Sequence, residues 1–161
     1  MGGLMKKLRV YVDTSVIGGC LDDEFKEWSN GLLLDFQNGI FLPVLSVLTE
    51  AEIADAPKKV QDVYNQFRAY CHQLIPLDEE SIELARHYLN RGIVTPKYLE
   101  DAQHIAIATV VGADMVVSWN FRHIVHFDKI NRFNAVNIEL GYKTIAIYSP
   151  REVTCYGNQV S

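Results

Sequence analysis

The sequence predicts an α/β fold, a central and mostly parallel sheet of about five strands with helices on both faces. Three observations carry this reading. Short β-prone runs alternate with helical patterns along the chain, no tandem hairpin turns join those runs, and the segment from Thr95 to Val111 is apolar on nearly every side. At 161 residues the chain is one domain by size, and no repeat or linker divides it. Residues 5–153 form that domain. Met1-Gly2-Gly3-Leu4 reads as an expression scar, and 154–161 as a polar tail, frayed from Gly157.

Leu8-Arg9-Val10-Tyr11-Val12 is a first strand that stops at Asp13-Thr14-Ser15, a strand-to-helix turn. Asp22-Asp23-Glu24 is a solvated loop or helix start, followed by a helix with Trp28, Leu32, Leu33 and Phe36 inward and closed by Gly39. Ile40 to Ser46 is a second strand, weakened by Pro43, since proline belongs near strand ends or edges. Val47 to Ala54 is a short helix carrying Glu50 and Glu52, stopped before Pro57. These two acids cannot share a face, and periodicity does not choose between them.

Lys58 to Gln73 fits an amphipathic helix with Val60, Val63, Tyr64, Phe67 and Tyr70 inward. Leu74 to Leu77 is a third strand, and Asp78 or Ser81 starts the next helix, ended by Gly92. In the central segment, Thr95 and Pro96 read as N-cap and first helical residue, with Val94 and Leu99 as a hydrophobic staple. Counting from Pro96, Asp101 lies past the first turn, so the helix dipole is a weak reason for an acid there. A buried carboxylate must be paired, protonated or bound to a metal; on this helix alone an ion pair is favoured. Gly112 stops the helix. Met115 to Trp119 is a fourth strand ending at Asn120, Asn131 to Leu140 a helix ended by Gly141, and Thr144 to Tyr148 a last strand ended by Ser149-Pro150.

The net charge of −5 and a pI near 5.5 argue against a protein that coats nucleic acid by bulk charge. Cys20, Cys71 and Cys155 are odd in number and far apart, which excludes a disulfide framework and a paired-cysteine zinc site and suits a reducing compartment. No run approaches a membrane span, so the expectation is a cytoplasmic protein with no membrane partner.

Singly, each candidate residue has an ordinary explanation: Asp13 as an N-cap, Asn120 as a turn residue, either glutamate as solvated. Together they say more. Asp13 and Asn120 close two strands that in a doubly wound sheet are often neighbours at the ligand crevice, and Asp101 and one glutamate lie on helices that reach the same edge. Carboxylates gathered there repel, and a divalent cation is the usual resolution. Mg²⁺ or Mn²⁺, hard ions that prefer oxygen and keep several waters, suit such a site better than zinc.

Four segments carry a resemblance: Val10-Tyr11-Val12-Asp13-Thr14-Ser15-Val16-Ile17, Ser46-Val47-Leu48-Thr49-Glu50-Ala51-Glu52-Ile53, Glu100-Asp101-Ala102-Gln103-His104-Ile105-Ala106 and Val117-Ser118-Trp119-Asn120-Phe121-Arg122-His123. They resemble, in order, the signature regions of PIN-domain ribonucleases, closest to bacterial VapC-type toxins and their chromosomal relatives. The resemblance implies a three-layer PIN-like fold and a Mg²⁺- or Mn²⁺-dependent endoribonuclease that hydrolyses RNA phosphodiesters. It places the family's acids at Asp13, Glu52 (selected over Glu50) and Asp101, with Asn120 where the fourth is often Asp. Asp13 and Asp101 are then the main metal ligands, and Glu52 a ligand or the group that orients water. Thr14 and Ser15 either hold Asp13 or touch the substrate phosphate through hydroxyls and backbone N–H groups at the helix start, and Arg122 and His123 are substrate contacts or plain surface residues.

The amide at Asn120 leaves the site one negative charge short of a four-acid version and weakens a second ion. It also motivates an alternative, a catalytically weakened binding module on the same fold. An antitoxin partner and a homodimer are further implications of the resemblance. A haloacid-dehalogenase-type phosphatase would need an acid where Ser15 stands, and neither the acid pair of a receiver domain nor a glycine-rich phosphate loop is present.

Overall fold

Val10, Tyr11 and Val12 are wholly buried because β1 (Arg9–Val12) is the middle strand of a sheet covered on both sides. The computed structural model describes residues 6–155. β1 is followed by α1 (Thr14–Gly19), α2 (Lys26–Gln37), β2 (Leu42–Ser46), α3 (Val47–Ala54), α4 (Lys58–Ala69) and β3 (Gln73–Ile75). Then come α5 (Glu79–Asn90), a 3-10 turn (Pro96–Tyr98), α6 (Leu99–Val111), β4 (Met115–Val117), α7 (Phe127–Glu139), β5 (Ala146–Tyr148) and α8 (Pro150–Val153).

All five strands run parallel in the order β3-β2-β1-β4-β5. The chain winds outward from β1 through β2 to β3, then crosses back to β4 and β5, so the order reverses between β1 and β4. The α/β prediction holds, and the expected neighbours at the reversal are the observed ones: Val10, Tyr11 and Val12 pair with Met115, Val116 and Val117.

Side chains alternate across the sheet and define two cores. Tyr11, Val44, Val116 and Ile147 pack with α5, α6 and α7 on one face. Val10, Val12, Leu45 and Val117 pack with α1, α2 and α4 on the other. Pro43 stands at the first step of the β2–β3 ladder, where its carbonyl accepts the His72 N–H at 2.8 Å, and its missing N–H falls on the same side, ahead of the start of β3 at Gln73. The strand ends do double duty as helix starts: Asp13 and Ser46 cap α1 and α3 through their side chains, and Ser149 and Glu152 form a capping box on α8.

Several boundaries differ from expectation. Pro96 opens a 3-10 turn, and Tyr98, with φ −109° and ψ 30°, interrupts it, so α6 begins only at Leu99 and Asp101 lies in its first turn. The dipole argument therefore reverses: Asp101 sits where a helix favours an acid. Tyr70 is exposed, one residue past the end of α4, and Trp28 is only half-buried, beneath the Arg151 guanidinium at 5.3 Å. α7 starts four residues before Asn131, capped by His126; its first residue, Phe127, is exposed and gives no inward periodicity to read. Ser149-Pro150 opens α8 rather than only ending β5. Asp35 accepts bonds from the Thr154 hydroxyl at 2.7 Å and the Cys155 N–H at 3.0 Å, so packing extends past residue 153. The scar at 1–4 and the tail from Gly157 lie outside the described residues.

Gly19 is where α1 meets the fourth strand's end most closely. A Cβ there would fall 2.6 Å from the Ser29 hydroxyl and 2.7 Å from the Trp119 indole nitrogen, two atoms that hydrogen-bond to each other at 2.8 Å. Gly19→Ala is expected to lower stability in urea unfolding by about 1–3 kcal/mol, the cost of overpacking, and to perturb Trp119 fluorescence. Gly18→Ala, with nothing within 4 Å of its new methyl, is the control and should be neutral or stabilising by up to about 1 kcal/mol.

Candidate metal and catalytic site

The register of β1 on β4 does most of the site's construction. The Asp13 N–H donates to the Val117 carbonyl at 3.0 Å, extending the ladder one step beyond β1 and setting Asp13 beside Ser118. Asp13 is 5% exposed. Its Oδ2 accepts from the Ser15 hydroxyl at 2.6 Å, the Ser118 hydroxyl at 2.8 Å and the Ser15 N–H at 3.4 Å. Its other oxygen, Oδ1, faces His104 Nε2 at 3.5 Å. Ser15 Oγ also accepts the Trp119 N–H at 2.9 Å, and Ser118 Oγ the Asn120 N–H at 2.9 Å, so the two turns are stitched together beneath the carboxylate.

Glu52 enters from α3, and its Oε1 is 2.7 Å from His104 Nε2. Glu50 turns the other way, accepting from the Tyr64 hydroxyl at 2.7 Å. The structure thus separates two acids that periodicity left undecided. Asp101 arrives on α6, three residues before His104 and so on the same helical face. Burial, followed by repulsion from Asp13, pushes its pKa up to about 6; His104 and a hydrogen bond from Asn120 act in the opposite direction, and Glu52 adds to the rise. Asp13, Glu52, Asp101 and Asn120 therefore occupy one crevice.

Asn120 plays a part that its sequence position did not reveal. Its Oδ1 accepts the His123 N–H at 2.9 Å, so the bond to Asp101 comes from the amide nitrogen. The amide stabilises the ionised form of Asp101, and its carbonyl is occupied by the His123 N–H.

His104 is the residue that sequence reasoning passed over. It is 1% exposed, and both ring nitrogens have partners: Nε2 faces Glu52 and Asp13, and Nδ1 lies 2.6 Å from the Tyr11 hydroxyl, itself 2.8 Å from Ser46 Oγ. Burial by itself would lower the pKa of this imidazole, but Tyr11, Asp13 and Glu52 outweigh it and hold the ring well above its ordinary value. A buried cation among three acids results. Its signal was present as the i, i+3 spacing from Asp101, while Tyr11 and Ser118 read only as strand residues.

The expected substrate contacts divide. Ser15 belongs to the Asp13 cradle. The Thr14 hydroxyl is 3.3 Å from that of Thr49. Arg122 is exposed on the loop after Asn120, and His123 stacks on Tyr98 with ring centroids 3.8 Å apart, both ring nitrogens being buried without a partner. Both residues follow Asn120 in the same loop, and the His123 N–H donates to the Asn120 side-chain carbonyl.

The donor set is made of hard oxygens whose mutual repulsion a divalent cation would relieve, which fits Mg²⁺ or Mn²⁺. Among the described residues no group of three or more acids, histidines or cysteines could by itself hold a metal ion. No helix among the described residues is long and apolar enough to cross a membrane.

Because the folded chain holds the Asp101 proton more tightly than the unfolded chain does, ionising Asp101 costs stability. The cost is absent below the ordinary carboxylate pKa of 3.8 and complete above about 6. The full shift is worth roughly 3 kcal/mol, and screening at a partly exposed group reduces it to about 1–2. Asp101→Asn is therefore expected to stabilise the metal-free protein by about 1–2 kcal/mol at pH 8, with the gain vanishing near pH 4, as read by urea unfolding at each pH.

No protein-family model and no curated protein matches the sequence. Two of the solved structures that share its architecture illustrate the likeness. One is a chain of VapBC2 from Rickettsia felis, solved bound to a DNA fragment from its promoter: 14% identity, 88% of this chain and 98% of that one, TM-score 0.58. The other is a chain of FitAcB from Neisseria gonorrhoeae: 18% identity, 89% and 99% coverage, TM-score 0.57. At these identities the likeness speaks for the architecture, and the protein has the PIN-like α/β fold that its four sequence segments resemble.

Proposed function

We propose that the protein is a Mg²⁺- or Mn²⁺-dependent endoribonuclease of the VapC-like kind, which hydrolyses RNA phosphodiester bonds. The observation that carries the reading is the convergence of Asp13, Glu52 and Asp101, from three separate elements, at the reversal point of a parallel sheet, with the Asp101 pKa raised by burial and by Asp13. Perturbed acids gathered at such a crevice are a mark of function more than of stability.

Within this reading Asp13 and Asp101 hold the ion, which when bound supplies Lewis-acid polarisation and eases ionisation of water. The chain's own groups do the rest. Ser15 and Ser118 fix Asp13 Oδ2 so that the carboxylate cannot rotate away. Glu52, with one oxygen held by His104, orients the attacking water. Arg122, exposed two residues after Asn120, meets the RNA and supplies locally the attraction that a chain of net charge −5 lacks overall, while the His123 ring, its nitrogens buried against Tyr98, supports that loop without reaching the RNA. An antitoxin partner that covers the crevice and a homodimeric, cytoplasmic toxin complete the proposal.

A second reading, a PIN-fold binding module of reduced activity, is favoured by Asn120, whose carbonyl is turned to the His123 N–H. The two separate cleanly. With Mn²⁺, the purified protein is expected to cleave RNA, EDTA to stop the cleavage, and Asp13→Asn to reduce the rate by at least about a hundredfold. No cleavage, together with no Mn²⁺ binding by calorimetry, would leave only the binding module.

Asn120→Asp tests the same electrostatics from the other side. A fourth carboxylate in place of a donor should lower the thermal midpoint of the metal-free protein, and Mn²⁺ should restore more stability to this variant than to the natural sequence. Equal Mn²⁺ stabilisation of both would contradict a shared ion.

A further inference from the structure

Glu52 is the acid whose place in the crevice most needs explaining. Asp13 is fixed by a strand ladder and two serines, and Asp101 stands on a helix buried in the core. Glu52 is a longer, partly exposed side chain on the eight-residue helix α3, free in principle to swing into solvent. One side-chain contact holds it inward, the 2.7 Å bond to His104 Nε2.

His104 is itself immobile. It is buried on α6 among core residues, and its second nitrogen is taken by Tyr11, which has no exposed surface and lies on the middle strand. The Tyr11 hydroxyl continues to Ser46 Oγ, and Ser46 is the N-cap of α3, accepting the Thr49 N–H at 3.3 Å. The chain of bonds thus leaves α3 at its cap, crosses β1 and α6, and returns to α3 at Glu52. It joins the three elements that carry Asp13, Glu52 and Asp101 into one closed loop.

We propose that His104, held by Tyr11, is a positioning residue that fixes the Glu52 carboxylate against Asp13 for the reaction. The proposal rests on the nuclease reading for its catalytic consequence, but its structural content stands apart from it. His104 touches neither ion nor RNA. It acts through Glu52, so its removal should slow turnover and leave substrate binding alone.

The test uses the full chain with His104→Leu, His104→Gln, Tyr11→Phe and Glu52→Gln. His104→Leu should lower kcat for Mn²⁺-dependent RNA cleavage by about 10–100-fold, the usual cost of losing a partner behind a ligand, with KM changed by less than about threefold. His104→Gln, whose amide N–H can still donate to Glu52, should recover most of the loss, and Tyr11→Phe should fall between. In a Glu52→Gln background His104→Leu should cost little more, because both changes remove the same thing. An equal kcat loss in both backgrounds, or a loss confined to KM, overturns the proposal.

Crystal structures of the His104→Leu and His104→Gln proteins give a readout that needs no activity. Glu52 should leave Asp13 in the first and remain in the second. If Glu52 stays in place without His104, the proposal falls whatever the kinetics. If Glu52 moves but the natural protein cleaves no RNA, the positioning role stands and the nuclease reading falls.

Discussion

The pairing of β1 with β4 is the constraint on which the site depends. These strands are separated by a hundred residues of chain, and their register decides which side chains meet at the sheet's carboxyl edge. With Val12 opposite Val117, the Asp13 N–H finds the Val117 carbonyl, and Asp13 Oδ2 finds the Ser118 hydroxyl. A slip of one residue would exchange the faces of Val10, Tyr11 and Val12, removing Tyr11 from the core that contains α6 and taking Asp13 from its serine cradle. Register is fixed here because both faces of the strand are buried and each face has its own core.

On that frame the dominant energy is electrostatic. Three carboxylates in a half-buried crevice repel, and each loses hydration by being there. The fold answers in two ways. Asp13, at little exposure, receives three donors on one oxygen and faces the imidazole with the other. Asp101 receives only the Asn120 amide and the more distant help of His104, and its pKa is left near 6. The two aspartates are therefore unevenly satisfied, whereas a structural ion pair would be satisfied at both ends, and the proposed cation would relieve the one left short.

The sequence made the architecture legible because hydrophobic period and turn chemistry agree along much of the chain: β1 and β2 stop at Asp13 and Ser46, and Gly39, Gly92, Gly112 and Gly141 follow α2, α5, α6 and α7, although β4 stops at Val117, before the expected Trp119. What it hid was local. Pro96 suits a 3-10 turn and an α-helix equally, so the start of α6 was misplaced by three residues and the dipole argument at Asp101 was inverted. Phe127 opens α7 on an exposed turn where no periodicity marks it. Within the site, the acids were legible from their segments, and Glu52 was distinguished from Glu50 only by resemblance. His104 was signalled only by its i, i+3 spacing from Asp101, and Tyr11 and Ser118 were not legible, since each is an ordinary core or strand-end residue until the topology sets it beside a carboxylate.

That division has a physical reason. A ligand-binding acid is conspicuous because it breaks the apolar pattern around it. A residue that holds such an acid in place does not, because its polar atom is paired inside the protein and its ring or methylene packs as a core residue would. Tyr11 shows both properties: its ring belongs to the core shared with Val44, Ile105 and Val116, while its hydroxyl completes the path from His104 to Ser46. Its aromatic body satisfies the sheet and its single oxygen serves the crevice. The cost of ordering Glu52 is thereby met by packing that the fold needs in any case, and a carboxylate on a short surface helix acquires the rigidity of the buried core.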